Sequence, residues 1–222
     1  MISIAIDGPA GAGKSTVARA VAKKLSFIYV DTGSLYRAIG LFMIQNGINE
    51  ESEIIGSLKK IQIDLRFENF EQKVFLCNKD VSKMIRTPEI SMMASKVSAI
   101  CEVREFLLKL QQDLAKKNNV IMDGRDIGTV ILPNANVKIF LTATSEKRAQ
   151  RRCKELLENG FEVTYNEVLK DIIKRDTDDS NRTVAPLKPA KDAIIIDTSE
   201  YNLESAVSLV IEAIENKLKS GE

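Results

Sequence analysis

The chain has 222 residues, 44% of them hydrophobic and 28% charged, which is enough to build one compact core with an insertion and too apolar for a disordered or collagen-like chain. Lysine and arginine number 32 against 31 acidic residues, and the net charge of +1 offers no general attraction for nucleic acid or an anionic membrane. With no histidine anywhere, Ser-His-Asp and Cys-His catalysis and His-ligated metals are excluded.

In chain order, Ile2–Ile6 is a nearly continuous apolar run that meets an acid at Asp7 and has no basic leader, so it reads as a buried strand and not as a signal peptide. The next residues, Gly8-Pro9-Ala10-Gly11-Ala12-Gly13-Lys14-Ser15-Thr16, satisfy G-x-x-x-x-G-K-[ST] between that strand and a helical pattern over Lys14–Leu25. Small residues let backbone N–H groups close around phosphate oxygens, Lys14 supplies a charge to the β- and γ-phosphates, and the Ser15 hydroxyl suits Mg²⁺. The helix that follows aims its positive end at the same anion. A second strand is expected at Phe27–Val30 and a second helix at Gly33–Gln45.

About 88 residues then separate the second core strand from the third. Within them Ile61–Phe67 and Lys73–Cys77 alternate with period two around Glu68–Gln72, which predicts an antiparallel hairpin, with Val81 opening a third strand. A small β-rich insertion over about 58–98 follows. Beyond it come a helix at Val103–Lys117, a strand Val120–Met122 ending in Asp123, a strand Val137–Leu141 and a helix Ser145–Glu158. A helix at Tyr165–Arg175, a strand Ala193–Ile196 and a helix Leu203–Leu218 complete the pattern. Five apolar strands alternating with helices predict an α/β fold, a doubly wound five-stranded parallel sheet. One domain over 1–222, with the insertion and a helical lid over about 146–162, is the expected organisation. No apolar run approaches the ~18 residues of a membrane span, and Cys77, Cys101 and Cys153 read as reduced, buried thiols of a cytoplasmic protein.

Asp123, at the end of an apolar strand, is the expected positioner of a magnesium shell. A switch GTPase is excluded: Asn78-Lys79-Asp80-Val81 fails N-K-x-D, and no D-x-x-G occurs. The remaining class transfers a γ-phosphoryl group to a small acceptor, by positioning and charge neutralisation. Seven of the eleven arginines lie between Arg104 and Arg182. Arg148, Arg151 and Arg152 fall early on one helix at spacings of three and four, as a lid closing guanidiniums over the transferring phosphate requires. A phosphate acceptor is already anionic near pH 7 and needs no general base, so the lack of histidine favours a nucleoside monophosphate over an alcohol.

Several blocks, in order and spacing, together resemble the bacterial cytidylate (CMP) kinase family, a group of P-loop nucleoside monophosphate kinases. They are I-A-I-D-G-P-A-G-A-G-K-S-T (4–16), D-T-G-S-L-Y-R (31–37), S-K-V-S-A-I-C-E-V-R (95–104), D-G-R-D-I-G-T-V-I-L-P (123–133), K-I-F-L-T-A (138–143), R-A-Q-R-R (148–152) and R-D-T-D-D-S-N-R-T-V-A-P-L (175–187). The resemblance implies phosphoryl transfer from ATP, with Mg²⁺, to CMP and dCMP, an adenylate-kinase-type core, an insertion that binds the monophosphate, and a monomer. It implies that Ser95, Arg104 and Asp126 face the cytosine. Arg37, Arg125 and Arg182, with Thr32 alongside, would hold the acceptor phosphate, and Arg175 and Asp179 would approach the ribose. Lys14, Asp123, Arg148 and Arg152 form the expected catalytic set. Lys14 is followed by Ser15 where some relatives have glycine, and Thr32 stands where others have serine. A kinase for shikimate or another nucleotide on the same core, and a nucleotide-binding regulator without turnover, remain the alternatives.

Overall fold

The computed structural model describes residues 1–68 and 71–220. Its centre is a five-stranded parallel sheet built from β1 (Ser3–Asp7), β2 (Ile28–Asp31), β6 (Val120–Gly124), β7 (Val137–Thr142) and β8 (Ile194–Asp197), in the order β2-β6-β1-β7-β8. The first four strands are the apolar runs, and their side chains are buried on both sides. The edge strand β8 departs from that expectation: it is covered on one face only, and Ile195 points to solvent.

Helices α1 (Lys14–Leu25) and α8 (Leu203–Ser220) cover one face. Val17, Val21, Val207, Val210 and Ile214 pack there against Ile4, Ile6 and Ile139. Helices α2 (Thr32–Gln45), α4 (Pro88–Ser98) and α5 (Cys101–Lys117) cover the other, in a larger cluster that includes Leu35, Ile39, Val97, Val103 and Leu107. A short helix α3 (Glu51–Ser57) leads into the insertion.

The insertion holds the antiparallel sheet β3 (Ile63–Glu68), β4 (Glu71–Leu76) and β5 (Lys79–Asp80). The third strand is thus two residues long and ends before Val81, whose N–H donates to the Val74 carbonyl just beyond it. Cys77 and Asn78 both adopt positive φ (47° and 66°) between the paired residues Leu76 and Lys79, the geometry of a two-residue type I′ turn. The tip of the first hairpin, expected at Glu68–Gln72, falls partly outside the described residues. The rest of the insertion is not β-rich: Thr87 caps and Pro88 opens α4, with Ile90, Ala94 and Val97 buried at helical spacing.

Past the central strands, α6 (Ser145–Glu158) and α7 (Tyr165–Asn181) form an antiparallel pair with a small apolar cluster of their own around Ala149, Val168 and Ile172. Helix α7 begins on a Thr164/Glu167 capping box and outruns the predicted end at Arg175 by six residues. The thiols correct the sequence expectation. Cys77 on the turn and Cys101 at the start of α5 are exposed, Cys153 is half-buried, and all three are free. The hairpin tip faces solvent, and Cys101 lies on the outer side of the first turn of α5.

Candidate active site

Strand β1 delivers the phosphate loop. Gly8 leaves the strand where an added Cβ would lie 1.9 Å from the Leu141 carbonyl oxygen, so no other residue fits that crossing. Gly13 stands in the left-handed region (φ 84°) at the start of α1. Lys14 is buried, and its ammonium donates to the Pro9 carbonyl at 2.7 Å, bending back over the loop it follows. Burial pushes its pKa down to about 7, with the Arg125 guanidinium as the second cause. Negative charge is what this loop lacks.

Asp123 closes β6 opposite that loop. Its carboxylate accepts from Ser15 Oγ at 2.7 Å and from the Tyr29 hydroxyl at 3.0 Å, while Thr32 Oγ1 donates to its backbone carbonyl at 2.7 Å. Burial, and then the charge of Asp31, raise the Asp123 pKa; burial and the Asp123 charge hold the Tyr29 phenol well above its usual value. Ser15 and Asp123, predicted separately from two motifs, are thus joined directly.

The next residues of the same segment join a second group of buried charges. The guanidinium of Arg104 donates to the Asp126 carboxylate and, through Nη1, to the Ser98 carbonyl at 2.9 Å. Both partners of that pair are buried. Arg182 lies 3.8 Å from the other Asp126 oxygen and donates through Nε to the Ala185 carbonyl, while its buried Nη2 has no hydrogen-bond partner among the described residues. Arg125 donates to Asp179 at 2.8 Å, and Arg182 lies 3.6 Å from the same carboxylate. The Tyr36 ring faces Arg104 at 5.5 Å, and its phenol is pushed up to about 12, chiefly by burial. Arg104, Arg125, Asp126, Asp179 and Arg182, drawn from three separate segments, therefore form one cluster.

Other predicted residues stand outside it. Arg37 donates to Asp31 at 2.6 Å, with a buried Nε unpartnered among the described residues. Ser95 is exposed on α4, whose C-terminal end reaches Arg104 through Ser98 instead. Arg152 pairs with Glu155 and Arg175 with Asp171, each on its own helix. Arg148 is a buried strut: it donates to the carbonyls of Ala143 and Ala10 and pairs with Asp176 at 2.6 Å, tying α6 to the phosphate loop and to α7. Arg151 turns away toward the end of β8 and donates to the Thr198 carbonyl.

The sequence reading missed several residues of this region. Gln72, from β4, accepts from the Asp31 N–H and donates to Ser34 Oγ, hooking the insertion onto the start of α2. No sequence signal marks it. Asp7 is different: it is an acid ending an apolar strand, the very signal that singled out Asp123. Its carboxylate is 4% exposed, accepts from the Ile127 and Gly128 N–H groups at 2.8 Å each, and is raised to about 6 by burial against those two hydrogen bonds.

The family model described as "Cytidylate kinase" matches residues 4–216. A cytidylate kinase of Carboxydothermus hydrogenoformans is 50% identical over 216 residues, 96% of this chain and 97% of that protein. One from Caldicellulosiruptor saccharolyticus is 52% identical over 213 residues, 95% of this chain and 94% of that protein. Among solved structures, a gluconokinase from Sinorhizobium meliloti aligns with a TM-score of 0.52 at 12% identity over 97% of this chain and 92% of that one. A shikimate kinase from Bacteroides thetaiotaomicron aligns at 0.50 and 15% identity over 96% and 98%. At such identities these two likenesses establish the kinase fold alone.

Proposed function

Because the chain belongs to the cytidylate kinase family, we propose that it phosphorylates CMP and dCMP from Mg-ATP, giving CDP or dCDP and ADP. The observation that carries this reading is the buried Arg104–Asp126 pair, one segment away from a phosphate loop. Cytosine presents an amino donor beside two acceptors, and a carboxylate next to a guanidinium is the complement of that edge. Uracil offers an acceptor where Asp126 also accepts, and is repelled.

Residues 8–16 bind the donor phosphates through backbone N–H groups, and Lys14 moves its ammonium from the Pro9 carbonyl to the phosphates. Ser15 and Asp123 are paired oxygen donors of the hard kind that Mg²⁺ takes, and they fit the ion, Asp123 through water. When bound, Mg²⁺ neutralises charge developing on the transferring phosphates. Arg37, Arg125 and Arg182 hold the acceptor phosphate with Thr32 beside them. The orphaned nitrogens of Arg37 and Arg182 support this, since each keeps a donor free for an incoming oxygen. Arg104, Asp126 and Ser95 serve the base, and Asp179 and Arg175 the ribose. Arg148 acts by holding the loop, while Arg152, partly exposed and paired with the exposed Glu155, reaches the phosphate as the lid over 146–162 closes. The insertion over 58–98 carries the monophosphate side, and the chain works as a cytoplasmic monomer. No helix among the described residues is long and apolar enough to cross a membrane.

The test is ADP release from Mg-ATP with CMP, dCMP, UMP, AMP and shikimate in parallel. Fast turnover of CMP and dCMP with weak turnover of UMP is expected. Preference for UMP or AMP would keep the donor site and discard the base assignment, and preference for shikimate would discard the acceptor class.

A further inference from the structure

Asp7 takes no part in the chemistry above, yet its carboxylate lies between the two halves of the site. It is the last residue of β1, and Gly8, immediately after it, starts the phosphate loop. The β1–β6 ladder ends at the Asp7–Gly124 pair. Beyond that point the chain runs through Arg125 and Asp126 into a single π-helical turn, Ile127–Ile131, so the backbone can no longer supply ladder partners. The Asp7 side chain replaces them: Oδ1 accepts from Ile127 N–H and Oδ2 from Gly128 N–H, both at 2.8 Å and fully buried. The surroundings leave little room for slack. An added Cβ on Gly128 would meet the Lys138 side chain at 3.1 Å and Asp7 Oδ2 at 3.4 Å.

We infer that Asp7 is a positioning residue that fixes the acceptor-binding segment Arg125–Asp126 relative to the donor-phosphate loop, through a bridge only one residue long on each side. In-line transfer demands that two substrates held by two different loops meet within a few tenths of an ångström. A carboxylate with both oxygens engaged constrains the joint in two directions, where one hydrogen bond would leave it free to rotate. The Arg104–Asp126 pair holds the same segment from the opposite flank, so Asp126 is gripped on two sides. The inference rests on the proposed acceptor role of Arg125 and Asp126.

The test is Asp7→Asn, which keeps the shape but sets an amide donor against one of the two N–H groups. Amide hydrogen exchange at Ile127 and Gly128 is expected to accelerate at least tenfold while the amides of Ile121 and Met122 in β6 hold their rates. The KM for CMP is expected to rise about tenfold, with the KM for ATP within twofold of the parent. Unchanged exchange at 127 and 128, an equal rise in both KM values, or faster exchange with no change in the CMP parameters would each overturn the inference. Should Asp7→Asn not fold, Asp7→Glu decides: it keeps the charge and both acceptor oxygens but lengthens the bridge by one methylene. A rise of about threefold in the KM for CMP alone supports the bridge, and an unchanged KM overturns it. A parent enzyme inert toward CMP would instead sink the proposed function, and the exchange rates would then decide the bridge by themselves.

Discussion

At the scale of single residues, the site is built by burying charge and leaving particular partners missing. Asp126 sits with Arg104 and near Arg182 in a region closed to solvent, so deleting its carboxylate removes the proposed cytosine acceptor and strands two cations. Asp126→Ala is expected to lose about 1–3 kcal/mol of CMP-over-UMP discrimination, read as the ratio of kcat/KM values. Asp126→Asn separates recognition from folding: its amide keeps an acceptor for Arg104 and offers uracil a donor, so relative UMP turnover should rise further than in the alanine variant. An unchanged ratio in both would remove Asp126 from base recognition. Lys14 makes the complementary prediction for the donor. Burial and the Arg125 charge push its pKa below the usual lysine range, so in the free enzyme it gives up its proton more readily than an ordinary lysine. A bound polyphosphate favours the ammonium and raises that pKa again, so ATP binding at pH 8 should take up protons. Calorimetric titrations in buffers of different ionisation enthalpy measure this directly; Lys14→Met should abolish the uptake, and release of a proton by the parent would reverse the assignment.

At the scale of elements, what the sequence made legible was whatever is locally periodic. The core strands are apolar because both faces are covered, and the phosphate loop is readable because a strand, glycines and a helix must follow in that order. Helix α4 was also readable, from Thr87-Pro88 and the spacing of Ile90, Ala94 and Val97, but a hairpin pattern just before it drew the reading toward strand. The true end of α7 was not. Asp176-Thr177-Asp178-Asp179 is poor helix sequence and carries like charge at the negative end of the dipole. Partners on other elements, Arg148 for Asp176 and Arg125 for Asp179, help to hold those turns helical. The two-residue hook of Gln72 and the π-helical turn at Ile127 are invisible for the same reason, because their causes lie on other elements. Gly40 shows how tightly such elements meet. On α2 it faces α4, where an added Cβ would lie 3.2 Å from the Ala94 nitrogen and 3.3 Å from the Ile90 carbonyl oxygen. Gly40→Ala gains about 1 kcal/mol of helix propensity, but overpacking against backbone that cannot rotate away costs about 1–3 kcal/mol. A net loss of stability is therefore expected in urea denaturation, and a gain would mean that α4 yields freely.

At the scale of the whole molecule, the insertion and the sheet share one apolar cluster, whereas the α6–α7 pair has its own. Leu65, Val74, Leu76, Val81 and Ile85 of the insertion belong to the same buried cluster as Ile39 and Met43 of α2 and Met122 of β6. Burial of that kind unfolds in one step, so far-UV circular dichroism and tyrosine emission should give coincident urea transitions. The α6–α7 pair is joined to the rest chiefly through polar contacts, among which the Arg148 fork to Ala10, Ala143 and Asp176 is the buried one. A segment attached in this way opens below the global free energy, as a closing lid must. Arg148→Lys keeps the charge but replaces a planar fork of five donors with a single ammonium that cannot reach three acceptors on different elements. Amide exchange within α6 and α7 should then accelerate by at least tenfold, while the urea midpoint of the core stays in place. A midpoint that falls in step with the exchange would show that the pair belongs to the core's own cooperative unit.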